Sequence, residues 1–355
     1  MYSVDTDKYL LNAAVEETSE VLSLNISKAV PEKAICIEVV PEMNDNYYTI
    51  SVADGVMYLR GGHTYSTILA VKRFEALVTE NETISFANGY VYHGEYSKDA
   101  AAYLGDGYKI TWLDEFDGNS IDNWNSVENQ MSGVNGKTSV TTAKSITVSN
   151  GVLEIKPSYD ENYYYGGELS TKSKMSYQYG YVEAKMQIPD INGFLSAFWM
   201  RTTNAGSSEE AFSFCEVDVF ERLNSGDIKT TIHKWDVIKD GETVKLSGGE
   251  LTVNGYNRNV RTNLDGNWHI IGVEWTQSAI SLIVDGVKLY TYDYTKNSAL
   301  KEILDNNGMY LLLSLYTGKE SNIAAELDSN ADWTQSFKID YIHLYQNASG
   351  KLNVK

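Results

Sequence analysis

The sequence predicts an antiparallel β-sandwich over residues 108–348, preceded by a small α/β domain over residues 1–95. Three observations carry that expectation. From residue 110 onward, short apolar–polar alternations are punctuated by two-residue turns, as in sandwiches. The 26 tyrosines and 7 tryptophans favour strands. The clear helical spacings, by contrast, fall before residue 80.

The elements follow in order. After the capping residues Asp5-Thr6-Asp7, Leu10, Leu11, Ala14, Val15, Val21 and Leu22 occupy one face of a helix. Ala34–Val40 is an apolar run suited to a buried strand. Tyr48–Val52 and Val56–Leu59 flank Asp54-Gly55, a two-residue turn that takes positive φ and makes a hairpin. Gly61-Gly62 interrupts the pattern, and a second helix carries Ala70, Phe74, Leu77 and Val78 on one side. Residues 96–107, with Gly105 and Gly107, read as a linker, and residues 349–355 as a tail. In the second domain, Asn150-Gly151 joins Ser145–Ser149 to Val152–Lys156, and Asp285-Gly286 joins Ile280–Val284 to Val287–Tyr292. Val182, Ala184, Met186 and Ile188 alternate with Glu183, Lys185 and Gln187, which predicts a half-buried strand.

Composition narrows the function. Apolar residues make up 43% of the chain and charged ones 22%, enough for a sizeable core. The formal net charge of −19 disfavours phosphate backbones and anionic membranes, so neither nucleic acid nor membrane is expected as a partner. No apolar run is long enough to span a bilayer. Cys36 and Cys215 are far apart in the chain, which excludes a disulfide framework and a cysteine-rich metal site. The start, Met1-Tyr2-Ser3-Val4-Asp5, has neither the basic residues nor the apolar stretch of a secretion signal.

The chemistry is expected in Phe214-Cys215-Glu216-Val217-Asp218-Val219-Phe220-Glu221. On a strand, Glu216 and Asp218 share one face and Val217 and Val219 enter the core. Strict alternation would put Glu221 on the wrong face. One bulged residue between Asp218 and Glu221 restores parity, and bulges are enriched beside active sites. The two glutamates are then about 13 Å apart at Cα, and inward-leaning side chains bring the carboxyls to about 5 Å. That is the separation of about 5–5.5 Å used by retaining glycosidases rather than the 6.5–9.5 Å of inverting ones. Two other readings compete: unrelated surface acids on an edge strand, and a divalent-metal site. Like charges stacked on one face weigh against the first. The lack of further ligands at loop spacing weighs against the second.

The same residues, Glu216-Val217-Asp218-Val219-Phe220-Glu221, resemble the bulged E-x-D-x-x-E signature of glycoside hydrolase family 16, in its laminarinase-like form. Trp112-Leu113-Asp114-Glu115-Phe116-Asp117-Gly118, Tyr179-Gly180-Tyr181-Val182-Glu183-Ala184, Ala197-Phe198-Trp199-Met200 and Thr231-Ile232-His233-Lys234-Trp235 resemble further strands of that family in order. So do Trp268-His269 through Glu274-Trp275, Val284-Asp285-Gly286 and Ile339-Asp340-Tyr341, so that the resemblance covers residues 108–347. It implies a β-jelly roll of two curved antiparallel sheets with an open cleft for a polysaccharide. It implies Glu216 as nucleophile, Glu221 as general acid and base, and Asp218 between them as the residue that orders their charges. Trp199 and Trp235 would stack on sugar rings, and His233 and Arg201 would line the cleft. No cofactor is implied for catalysis. A structural calcium is implied on the convex side at Glu115, the carbonyl of Gly151, and Asp340.

The resemblance implies a retaining endo-glycosidase acting on a β-1,3-glucan such as laminarin or a mixed-linkage glucan. A β-galactan of agar, porphyran, carrageenan or arabinogalactan type is the alternative substrate. A catalytically inactive glycan-binding sandwich and a calcium-dependent adhesion module are alternatives of other classes. A polymer substrate implies an extracellular or cell-surface location. Two departures bear on the substrate: Cys215 stands where the family commonly has Gly, and Thr317-Gly318-Lys319-Glu320 replaces a Gly-Gly loop. The first domain resembles, more loosely, the α/β accessory domain that precedes catalytic barrels in hexosaminidases. That likeness rests on the Asn12-Ala13-Ala14 helix, the hairpin, and Arg60-Gly61-Gly62 leading to Ala70-Val71.

Overall fold

The computed structural model describes residues 10–14, 16, 34–79, 85–96, 104, 107–134, 137–190, 193–222, 228–240, 243–250, 258–260, 264, 266–316 and 332–355. The chain divides into two compact units, Met1–Lys109 with Ile283–Lys288, and Ile110–Leu282 with Leu289–Lys355.

The first unit holds a four-stranded sheet in the order Ile35–Val39, Val56–Gly61, Tyr47–Ala53, Val91–Glu95. Its first pair is parallel and the others antiparallel. The expected hairpin forms, with Asp54 at φ 51° and Gly55 at φ 80°. Helix Thr64–Thr79 lies against this sheet and buries Tyr65, Ile68, Leu69, Val71 and Phe74. Of the first expected helix, residues 10–14 and 16 are helical. Val15, Val21, Leu22 and most of the expected linker lie outside the described residues.

The second unit is a sandwich. One sheet has eight strands among the described residues, in the order Val287–Asp293, Ala279–Val284, Trp268–Trp275, Gly180–Gln187, Phe337–Gln346, Val152–Ile155, Ile146–Ser149, with Lys109–Asp114 also on Phe337–Gln346. The other has thirteen, and its main path runs Thr243–Glu250, Ile228–Asp240, Ala211–Arg222, Leu195–Thr202, Met309–Tyr316, Tyr163–Ser170, Lys137–Thr141, Asn129–Val134. Rings from both sheets meet between them: Phe220 packs edge-on against Phe337 at 5.9 Å, and Tyr177 against Trp275 at 5.8 Å. Asn150 at φ 53° and Gly151 at φ 74° make the predicted turn between Ile146–Ser149 and Val152–Ile155. This is the two-sheet sandwich that the turn spacing predicted, with the jelly-roll form that the family resemblance implied.

Two expectations are corrected. Gly180–Gln187 is not half-buried, because it runs between two partner strands and Glu183 on its polar face is wholly buried. The Tyr345 hydroxyl donates to the Glu183 carboxylate at 3.4 Å. Residues 349–355 are not a loose tail either: Lys351–Val354 adds as a strand to Met175–Gln178. Both cysteines are free, and Cys215 is buried. Among the described residues no helix is long and apolar enough to cross a membrane.

Candidate active site

The acid-bearing strand Ala211–Arg222 runs between Leu195–Thr202 and Ile228–Asp240. On one side Trp199 faces Asp218 and Phe198 faces Phe220, which leaves Val219 as the extra residue. On the other side Thr231 faces Asp218 and Lys229 faces Glu221, so Thr230 alone opposes two residues. This is the expected bulge. The Thr230 hydroxyl donates to the Val219 carbonyl at 3.0 Å and pins it. Val219 and Phe220 are adjacent and both buried, so two successive side chains turn inward. That double inward step puts Glu216, Asp218 and Glu221 together on the sheet's outer face.

Cross-strand partners complete that face. Ala197, Trp199 and Arg201 oppose Glu221, Asp218 and Glu216, and His233 opposes Glu216 from the other side. Arg201 Nε lies 2.5 Å from Glu216 Oε2, and Trp235 Nε1 donates to Glu216 Oε1 at 3.3 Å. Both oxygens of Glu216 therefore have a fixed donor. His233 Nε2 is 2.9 Å from Asp218 Oδ2, and its ring stacks on Trp235 with centroids 5.3 Å apart. An oxygen of Glu216, an oxygen of Asp218 and a nitrogen of His233 all lie within 4.8 Å of one another. Those atom types could also hold a divalent ion, but the Arg201 cation already occupies the charge of Glu216.

The four residues expected to line the cleft differ in what they touch. Trp235 is half-buried and His233 meets Asp218. Arg201, expected to line the cleft, pairs through Nε with Glu216 and lies over the Trp199 ring, 4.6 Å from its centroid. Trp199 is thus a platform for Arg201. Its ring is nearly buried with Ala197, Tyr310 and Leu312, and its indole N–H donates to Ser314 Oγ at 3.2 Å.

The family model for glycosyl hydrolases family 16 matches residues 123–343, more than half the chain. The chain belongs to glycosyl hydrolases family 16. It is 27% identical over 250 residues to the clotting factor G alpha subunit of Tachypleus tridentatus, covering 68% of this chain and 34% of that protein. It is 25% identical over 276 residues to glucan endo-1,3-beta-glucosidase A1 of Niallia circulans, covering 68% of this chain and 38% of that protein. The chain thus spans little more than a third of the length of the curated relatives it matches. Among solved structures, the laminarinase from Flavobacterium sp. UMI-01 superposes with a TM-score of 0.50 at 22% identity, over 67% of this chain and all of that one.

In this family-16 chain, burial pushes the Asp218 carboxyl up to about 6; the His233 hydrogen bond opposes the rise and Glu216 adds to it. The sign of the effect on stability follows. The folded-state value lies above the ordinary 3.8, so ionising Asp218 opposes folding. The penalty is absent below about pH 4, grows between about pH 4 and 6, and is full above that. Asp218→Asn should therefore raise the melting temperature at pH 7 by several degrees, a gain of up to about 3 kcal/mol, and leave it unchanged at pH 4. Calorimetry at the two pH values checks this; equal shifts at both would contradict it.

Three residues on the same face were missed in the sequence. Glu168 sits on Tyr163–Ser170, where burial pushes its carboxyl up to about 7, with Arg201 opposing and Glu216 adding. Tyr310 opposes Arg201 in the register. The Tyr316 hydroxyl is held protonated by burial and by the nearby Glu168, Glu221, Asp218 and Glu216 carboxyls. The one local signal was an acid, Glu168, inside an otherwise uncharged strand.

The residues matched to a family-16 calcium do not fit an oxygen cage built on their carboxylates. Glu115 Oε1 is 2.6 Å from His343 Nε2, and Asp340 Oδ2 is 3.0 Å from Lys185 Nζ, so each acid already has a basic partner. Gly151 does lie beside Glu115, whose carbonyl oxygen is 4.0 Å from where a Cβ on Gly151 would stand.

Proposed function

We infer that this family-16 chain is a retaining endo-hydrolase of β-1,3-glucan, laminarin or a mixed-linkage glucan. The observation that carries the reading is the bulge, which turns Glu216, Asp218 and Glu221 to one face. A Glu216 oxygen attacks the anomeric carbon as the glycosidic C–O bond breaks, and Glu221 gives its proton to the leaving oxygen. Water then attacks the same carbon, Glu221 takes its proton, and the ester to Glu216 breaks. Arg201 and Trp235 fix the Glu216 carboxylate along the line of attack. Asp218, braced by His233, lies between the two glutamates along the strand and separates their protonation states.

The substrate class rests on relatives named as glucan-cleaving enzymes and on the charge of the face. Glu168, Glu216, Asp218 and Glu221 outnumber Arg201 and His233, which suits a neutral polymer and repels a sulfated galactan. A polymer of that size supports an extracellular or cell-surface location. Reducing-end release from laminarin is the test, run beside an agarose and carrageenan panel. Release from laminarin supports the reading. Release from a galactan alone, or binding to laminarin with no fall in viscosity, would sink it.

A further inference from the structure

The geometry points to a second carbohydrate-binding site on the acid-bearing sheet: an aromatic shelf of Trp333, Tyr159 and Tyr164 that holds a further length of glucan chain on the Glu221 side of the cleft. This rests on the glucan reading above.

The cross-strand register places the shelf. Glu168 opposes Ser314, Ser314 opposes Ala197, and Ala197 opposes Glu221, so one row crosses the outer face at Glu221. Tyr316 lies two residues beyond Ser314 on that face. Tyr164 lies four residues before Glu168 on the antiparallel neighbour, about 13 Å along the strand in the same direction. Tyr159, on the short strand Ser158–Tyr159, opposes Tyr164. The shelf therefore flanks the cleft beyond Tyr316, on the side of Glu221 and away from Glu216.

The shelf is built as a sugar platform. Trp333 stacks on Tyr164 with ring planes 6° apart and centroids at 6.0 Å, and Phe194 meets Trp333 edge-on at 5.3 Å. Tyr164 and Phe194 are buried and fix the base. Tyr159 leans on Trp333 at 4.5 Å and yet is 55% exposed. A ring cluster that only sealed the end of the sandwich would bury that ring, because aromatic area left in water is costly. The Trp333 indole N–H and the Tyr159 hydroxyl make no hydrogen bond with any described residue, and both are open to solvent. Lys137 adds a cation. Its Nζ donates to the Asp160 carbonyl and stands 4.9 Å from the Tyr159 centroid and 5.3 Å from that of Tyr164. Apolar ring faces edged by N–H, O–H and ammonium donors match a pyranose, which has an apolar C–H face and a rim of hydroxyls.

The test uses the full chain. Affinity electrophoresis through gels holding laminarin compares Glu216→Ala with Glu216→Ala/Trp333→Ala and Glu216→Ala/Tyr159→Ala, so that binding is read without turnover. Loss of Trp333 is expected to weaken binding about tenfold, and loss of Tyr159 about threefold. Trp333→Phe keeps a ring on the shelf and should stay within about threefold of the parent, with melting curves confirming that each variant folds. With Glu216 intact, Trp333→Ala should raise KM on laminarin and leave a dinitrophenyl β-laminaribioside untouched, since that substrate is too short to reach from Glu216 to the shelf. Unchanged laminarin binding in both double variants would overturn the proposal, and so would an equal loss on the laminaribioside. If Glu216→Ala itself is not retarded by laminarin and the wild type releases no reducing ends from it, the glucan reading fails and the shelf assignment with it, an outcome distinct from a failure of the shelf alone.

Discussion

Glu216→Ala is expected to lower kcat on laminarin by on the order of 10⁴-fold or more, because it removes the carboxylate that forms the glycosyl ester. The space left by the carboxylate is bounded by Arg201 and Trp235, which pointed at its two oxygens. Azide is small, anionic and suited to lie beside the Arg201 guanidinium. It should rescue the variant on an activated aryl glucoside by attacking from the vacated side. The product would be an α-configured glycosyl azide, since a single displacement inverts the centre. A β-azide, or activity near wild type, would show that Glu216 is not the nucleophile.

Glu221→Ala is the second large effect, with a different signature. Loss of general acid catalysis should cost about 10²–10⁴-fold on laminarin, whose sugar leaving group needs a proton. A dinitrophenyl glycoside needs none, so its first step should be nearly unaffected and the glycosyl-enzyme should accumulate as a burst. Azide then attacks that intermediate from the Glu221 side and gives a β-configured azide. Equal losses on both substrates would argue that Glu221 acts elsewhere. The bulge explains why these roles separate along one strand: Glu221 reaches the outer face through the paired inward turn of Val219 and Phe220.

Much of this was legible locally. Asp54-Gly55 and Asn150-Gly151 need positive φ and so announce their turns. Glu221 breaks the alternation set by Glu216 and Asp218, and one extra residue is the smallest repair. What stayed hidden depends on partners distant in sequence. Glu168 and Tyr316 join the site through pairing of Tyr163–Ser170 with Met309–Tyr316, a register no local pattern encodes. Arg201 was expected in the cleft, but its ion pair with Glu216 follows from the register of a second strand. Glu183 read as solvent-facing because alternation reports polarity and not what covers a sheet. Lys351–Val354 is exposed at every position and carries no burial signal, so its pairing with Met175–Gln178 could not be foreseen.

The central claim is a covalent intermediate on Glu216. It is tested most directly by incubating the full chain with a 2-deoxy-2-fluoro β-laminaribioside carrying a dinitrophenyl leaving group, followed by intact-mass and peptide mass spectrometry. The account predicts one glycosyl adduct per chain, on the peptide containing Glu216, and none with Glu216→Ala. Turnover of laminarin with an α-configured first product and no adduct would contradict it.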